Sequence, residues 1–181
     1  MWLIAGLGNP GSKYADTRHN VGFWVIDELS MRHTISLKKR VCSSLIGRGK
    51  IADHEVILAK PLSFMNLSGI PLEQLVRTFQ ISLHELLIVH DEIDLPLGKV
   101  KLKIRGGDAG NKGMRSILEY LGSGDFTRIR VGIGRPDRGG DVSAYVLSPF
   151  FQEELDIIHG VVKFAADRVE EVVRRPQMPW Y

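Results

Sequence analysis

The sequence predicts an α/β fold, a single domain over residues 1–181 in which a twisted mixed β-sheet is flanked by helices on both faces. Three observations predict it. Short continuous apolar runs at 2–7 and 86–89 read as buried strands. Longer segments between and after them carry apolar residues at helical spacing, and glycine- or proline-bearing turns punctuate the alternation.

The first run, Trp2 to Leu7, closes on Gly8-Asn9-Pro10-Gly11, a strand followed by a turn. A helix over 17–31 follows, with Asp16 or Thr17 as its N-cap and Val21, Trp24, Val25, Ile26 and Leu29 facing inward. Residues 41–60 read as two strands around Ala52-Asp53-His54, ending at Pro61. The next helix, 68–79, accepts Pro71 in its first turn, where an amide donor has no partner anyway, and carries Leu72, Leu75, Val76 and Phe79.

Ser82-Leu83-His84-Glu85 has capping-box spacing, but the run Leu86-Leu87-Ile88-Val89 suits a central, fully covered strand. His90-Asp91-Glu92 then lies at that strand's carboxyl end, His90 turned to the opposite side from Asp91 as a structural residue. A basic strand over 99–105, a glycine-rich loop at 106–113 and a helix through Met114, Ile117, Leu118 and Leu121 come next. A strand over 127–134, a loop around 136–140 and a last amphipathic helix over 152–173 complete the pattern.

With 44% apolar and 25% charged residues the composition is that of a soluble globular protein. No apolar run approaches the ~20 residues a bilayer needs, and the start lacks the basic region of a secretory signal, so a cytoplasmic location without membrane contact is expected. The lone Cys42 excludes an internal disulfide and has no His or Asp beside it, so it reads as a structural thiol. His33, His54, His84 and His159 lack metal-ligand spacing and are given no role. No strongly apolar exposed stripe is evident, which points to a monomer.

A net charge of +3 argues only weakly for a polyanionic partner; its distribution argues better. Lys99, Lys101, Lys103 and Arg105 alternate with Val100, Leu102 and Ile104, and a strand's period of two puts the four cations on one face. Lysines on an edge strand also discourage aggregation, so this strand alone divides evenly between a solvated edge and a binding ridge. Arg128 and Arg130 repeat the spacing and tilt the balance toward contact with a phosphate backbone.

Open α/β sheets bind ligands outside the carboxyl ends of their strands. Asn9, Asn66 and Asp91 all follow or end predicted strands, and His19 opens the helix after Asn9, so the four can share one cleft. An imidazole can take a proton from water, a carboxylate can steady the imidazolium, and amides can bind a carbonyl oxygen or amide nitrogen. That set suffices to hydrolyse an acyl ester with water. Taken singly, His19 is as easily a capping histidine, Asp91 a turn residue and Asn66 a helix cap; only their combination favours chemistry.

Two glycine-rich segments offer rival readings. Gly6-Leu7-Gly8-Asn9-Pro10-Gly11 satisfies G-x-G-x-x-G, but Pro10 and the gap before the helix spoil the packing role of the third glycine. No second strand ends in an acid about 20 residues further on, as a dinucleotide site requires. The 106–113 loop misses the P-loop register, yet its glycines and the following helix make an anion-friendly backbone flanked by Arg105 and Lys112.

Five segments carry a family resemblance: Gly6-Leu7-Gly8-Asn9-Pro10-Gly11-Ser12-Lys13-Tyr14, Thr17-Arg18-His19-Asn20-Val21-Gly22, Lys60-Pro61-Leu62-Ser63-Phe64-Met65-Asn66-Leu67-Ser68-Gly69, His90-Asp91-Glu92-Ile93-Asp94-Leu95-Pro96 and Arg130-Val131-Gly132-Ile133-Gly134-Arg135-Pro136. In this order, through nearly the whole chain, they resemble the bacterial peptidyl-tRNA hydrolases. The resemblance implies hydrolysis of the ester joining a peptide to the 3′-terminal ribose of tRNA, recycling tRNA from aborted translation without metal, cofactor or obligate protein partner. It makes His19 the general base, Asp91 its orienting partner and Asn9 a group that distinguishes N-blocked peptidyl-tRNA from free aminoacyl-tRNA. Tyr14, Phe64 and Asn66 would line the binding groove.

The chain departs from that family in the glycine-rich loop, where Asn111-Lys112 stands in place of the usual His-Asn pair. Either Asn111 takes over the substrate contact of the usual asparagine, or Lys112 binds phosphate instead. The ending at Pro179-Trp180-Tyr181 implies a different C-terminal cover over the groove. An RNA-binding relative that has lost catalysis draws its best argument from the altered loop, and a nucleotide-binding oxidoreductase rests only on the weak glycine match.

Overall fold

Seven strands form one sheet in the computed structural model, which describes residues 1–175. They are β1 (Trp2–Gly6), β2 (Lys39–Val41), β3 (Ser44–Ile51), β4 (His54–Pro61), β5 (Leu86–Glu92), β6 (Val100–Lys103) and β7 (Thr127–Gly132), side by side in the order β2-β3-β4-β1-β5-β7-β6. β4, β1, β5 and β7 run parallel, while β3 pairs antiparallel with β2 and β4, and β6 antiparallel with β7. The sheet is therefore mixed, as its pattern predicts.

The helices are α1 (Val21–His33), α2 (Gly69–Thr78), α3 (Lys112–Leu121), α4 (Val142–Val146) and α5 (Leu155–Arg174). Alternate residues of β1 serve two different cores. Trp2 and Ile4 share one core with Val25 and Leu29 of α1 and Ile158 and Ala165 of α5, whereas Leu3 and Ala5 share the other with Leu72 of α2 and Ile117 of α3. A strand covered on both faces has no polar side to show, which is why β1 and β5 read as unbroken apolar runs. Each fully buried side chain of this size contributes ~1.5–3 kcal/mol over leaving it in water, so these central strands form the rigid floor of the molecule.

Two glycines bring α1 down onto the strand ends. A Cβ on Gly6 would stand 2.2 Å from the carbonyl oxygen of Gly22, and one on Gly22 would stand 2.5 Å from that of Val89. The 3₁₀ turn Arg18–Asn20, at the head of α1, is thereby held where the polypeptide leaves β1 and β5.

The expected helix over 17–31 is thus a 3₁₀ turn plus α1, with Thr17 in the N-cap position of the turn but making no side-chain capping bond, and the last helix likewise begins with a 3₁₀ turn, Gln152–Glu154. Two elements were not expected. β2 has only three residues and no apolar alternation, and it owes its existence to pairing with β3. The tight turn between them puts Cys42 and Ser43 at positive φ (52° and 53°), so Cys42 sits in a hairpin turn. The other surprise, α4, is a turn and a half of Val-Ser-Ala-Tyr-Val begun by the Asp141 side chain.

The basic strand is shorter than its alternation. Val100 and Leu102 pack against the α1/α5 core, but β6 stops at Lys103 and the chain turns away into the glycine-rich loop, leaving Ile104 and Arg105 exposed. Among the described residues no helix is long and apolar enough to cross a membrane. The segment Pro179-Trp180-Tyr181 lies outside the described residues.

Candidate active site

Asn9 follows β1 and is almost fully buried, yet its side chain is addressed with care. The Met65 amide donates to its Oδ1 at 2.7 Å. Asn20 grips its main chain from both sides, accepting from the Asn9 amide at 2.9 Å and donating to the Asn9 carbonyl at 2.9 Å. With Oδ1 committed to a backbone donor, the Asn9 Nδ2 has no protein partner among the described residues and belongs to the wall of a cleft.

His19, in the 3₁₀ turn beside Asn20, places Nδ1 2.7 Å from Oδ2 of Asp91 on β5. Asp91 is 2% exposed and the His19 side chain 12%, so the pair meets inside the protein while the ring edge stays open to the cleft. The other Asp91 oxygen, Oδ1, accepts from the Asn111 amide at 3.2 Å, and the same Nδ2 lies 3.2 Å from the Asp91 carbonyl oxygen. Asn111 Oδ1 in turn caps α3 by accepting from Met114 N at 3.0 Å. The result is a continuous line of hydrogen bonds from the start of α3 through Asn111 and Asp91 to the imidazole.

His90 points the other way, as its place on the strand predicts. It is buried, donates from Nδ1 to the Asp91 carbonyl at 2.7 Å, and leaves Nε2 without a partner. Burial pushes its pKa below the ordinary histidine value, so this imidazole stays neutral and serves the backbone.

The cleft has a volume of about 330 Å³ and is bounded by eight of the residues expected there: Asn9, Tyr14, His19, Phe64, Asn66, Asp91, Asn111 and Lys112. Tyr14 and Phe64 meet edge to face with centroids 6.2 Å apart, and Phe64 is 53% exposed on the rim. Asn66 and Lys112 are exposed, the latter as the first residue of α3. The opposite wall, Val142, Ser143, Val146 and Leu147, comes from α4 and the residue after it, which the sequence did not signal.

The basic strands fare differently, and two expectations about them are corrected. Arg128 is 1% exposed: its guanidinium donates to the carbonyls of Gly106, Gly107 and Gly124 at 2.8–3.1 Å and lies over the Phe126 ring. It anchors the glycine-rich loop and has no surface to offer a phosphate. Arg130 is committed to buried Glu92, with Nε and a terminal nitrogen each 3.0 Å from one carboxylate oxygen. Lys101 and Lys103 lie directly across from Arg130 and Arg128 on the sheet edge, outside the cleft; Lys101 is exposed and Lys103 half-buried. Arg105 is also exposed, 3.6 Å from Asp125.

Two polar residues of the site went unassigned by the sequence reading. Asn20 holds Asn9, and the only hint of it is a second asparagine in the His19 segment. Arg18, 1% exposed, is bonded to Ser148, Pro149 and Glu154, far away in sequence. Among the described residues no group of three His, Cys, Asp or Glu side chains could hold a metal ion.

The family model for peptidyl-tRNA hydrolase matches residues 3–178. A peptidyl-tRNA hydrolase of Carboxydothermus hydrogenoformans is 46% identical over 169 residues, covering 93% of this chain and 90% of that protein. One from Geobacillus thermodenitrificans is 45% identical over 176 residues, 97% of this chain and 95% of its own. The crystal structure of peptidyl-tRNA hydrolase from Acinetobacter baumannii superposes with a TM-score of 0.91 at 38% identity, covering 96% of this chain and 89% of that one. A family match over residues 3–178, identities of 38–46% over more than nine-tenths of the chain and a superposable fold leave one assignment: the chain belongs to the peptidyl-tRNA hydrolase family.

Proposed function

We propose that this cleft hydrolyses the ester between a peptide and the 3′-terminal ribose of tRNA, with His19 as the general base. The observation that carries the reading is the 2.7 Å contact from His19 Nδ1 to Asp91 at the edge of a cleft walled by Asn9. With Nδ1–H donated to the carboxylate, the Nε2 lone pair is left to take a proton from water. The hydroxide so formed attacks the ester carbonyl, and Asp91 stabilises the imidazolium. Collapse of the tetrahedral intermediate breaks the carbon–oxygen bond to ribose. The leaving oxygen recovers the proton from Nε2, giving free tRNA and a peptide carboxylic acid that ionises.

Asn9 explains a preference for blocked substrates. Its Nδ2 presents donors only, which suit the carbonyl of an N-acylated residue and oppose the ammonium of a free aminoacyl group. Tyr14 and Phe64 supply apolar surface beside it, and Asn66 an exposed amide on the rim. Asn111 is assigned to holding Asp91 rather than substrate, because its donor and its acceptor are both engaged. That leaves Lys112, exposed at the cleft, as the phosphate contact near the 3′ end, with Lys101, Lys103 and Arg105 as candidates for the tRNA body.

A monomer is inferred, and a substrate made by translation supports work in the cytoplasm. The RNA-binding alternative without catalysis is not favoured, since the base, its carboxylate and the Asn9 amide are all in position. The test is release of N-acetyl-amino acid from N-acetyl-aminoacyl-tRNA. His19→Ala should lose ~10²-fold or more in turnover while tRNA binding persists, and retained turnover would remove His19 from the mechanism.

A further inference from the structure

The two walls of the cleft are held in different ways. His19, Asp91 and Asn9 are fixed to the ends of central strands by close backbone approach and buried hydrogen bonds. The facing wall is α4, five residues between a long loop and the start of α5. Something must fasten it.

Arg18 does so from the residue next to His19. Its main-chain amide donates to the Ser148 carbonyl at 3.0 Å, and Thr17 forms an isolated β-bridge with Pro149. Its guanidinium donates to Ser148 Oγ at 3.0 Å, to the Pro149 carbonyl and to Glu154 Oε1 at 2.7 Å. The rings of Tyr145, Phe150 and Phe151 surround the cation, their centroids 4.4, 5.1 and 5.0 Å from its central carbon. Tyr145 belongs to α4 and ties it further through a 2.5 Å bond from its hydroxyl to the Ile133 carbonyl. Glu154 also accepts from the Phe151 amide at 2.7 Å, so the segment after α4 is locked to the same fork.

If cohesion were all that this spot required, apolar side chains would give it at lower desolvation cost than a buried cation. A guanidinium offers something they lack, namely several donors in a rigid planar fork that fixes its partners in direction as well as distance. The acceptors here lie on the segment that immediately follows α4.

We propose that Arg18 is a positioning residue for substrate: it fastens α4 against the turn that carries His19 and so sets the width of the cleft in which the acyl end of peptidyl-tRNA is bound. The role rests on the hydrolase reading above. Because Asp91 on β5 holds the His19 ring through its own 2.7 Å contact, loosening α4 weakens binding and leaves the chemical step of bound substrate intact.

The test compares wild type, R18Q, R18K and E154Q by steady-state hydrolysis of N-acetyl-aminoacyl-tRNA, with folded fraction and thermal midpoint measured alongside. R18Q should raise KM about tenfold with kcat per folded molecule within about threefold of wild type, the signature of lost uniform binding. R18K, which keeps the charge but not the fork, should fall between, and E154Q should shift KM in the same direction. Should R18Q fail to fold, R18K and E154Q carry the same comparison. KM within about twofold of wild type in every folded variant, or kcat falling at an unchanged KM, overturns the proposal. Absence of turnover in the wild type would instead remove the hydrolase reading, and this role with it.

Discussion

The turn that carries His19 and the paired strands β6 and β7 both carry cations, yet they put their charges to opposite uses. In the turn, Arg18 goes inward to brace a wall while His19, its neighbour, opens to the cleft. On the strands, Arg128 and Arg130 are consumed by internal partners and Lys101 is left exposed. The difference lies in what covers each face. Periodicity says which residues share a side of a strand, but whether that side meets water depends on a loop from elsewhere in the chain, here Gly106 and Gly107 closing over Arg128.

The largest expected effect separates the two regions by chemistry. Asp91→Asn keeps the shape of the carboxylate but removes its charge and its demand for a proton on His19 Nδ1, so kcat should drop by ~10²–10⁴. Thermal stability should move little by comparison. A kcat within tenfold of wild type in the same tRNA hydrolysis assay would show that the histidine needs no orienting partner.

Arg128→Met should do the reverse. It strips three loop carbonyls of their donor and costs about 3 kcal/mol of stability in denaturant unfolding, while the folded enzyme keeps its dependence on salt. A shallower salt dependence without loss of stability would return Arg128 to the tRNA surface.

How much of this was legible from sequence follows the same division. The runs at 2–7 and 86–89 could be read because a strand covered on both sides tolerates little but apolar residues, and the convergence of Asn9, His19 and Asp91 follows from where strands end. α4 could not be read: five residues carry no helical period, and the element is held by partners elsewhere. Arg18 was invisible for the same reason, since its guanidinium partners lie 130 or more residues away. Asn111 was placed at the site, but whether its amide faced substrate or Asp91 depended on the path of the glycine-rich loop.

Asn111 supplies the next effect in size. Asn111→Ala removes a hydrogen bond to a buried carboxylate, and turnover should fall about tenfold. The same change uncaps α3 at ~0.5–2 kcal/mol, so Asn111→Asp is the sharper variant: it retains the capping acceptor but sets a second carboxylate against Asp91. Lost turnover with a preserved thermal midpoint in Asn111→Asp assigns the residue to Asp91. Full turnover in both variants would leave the carboxylate dependent on His19 alone.

The smallest effect tests what remains of the basic ridge. Lys101 lies opposite Arg130 on β6, exposed where its neighbour across the strands is paired with Glu92. If Lys101 neutralises one phosphate of the tRNA body, Lys101→Gln should lower the slope of log affinity against log salt by ~0.7–0.9, with kcat unchanged. An exposed lysine that merely guards a sheet edge would leave the slope where it was, because no counterion is released at a solvated cation. The same titration on Lys112→Gln reads the cleft directly. A drop in slope there but not at Lys101 would confine tRNA recognition to the 3′ end, and equal drops at both would extend it along β6.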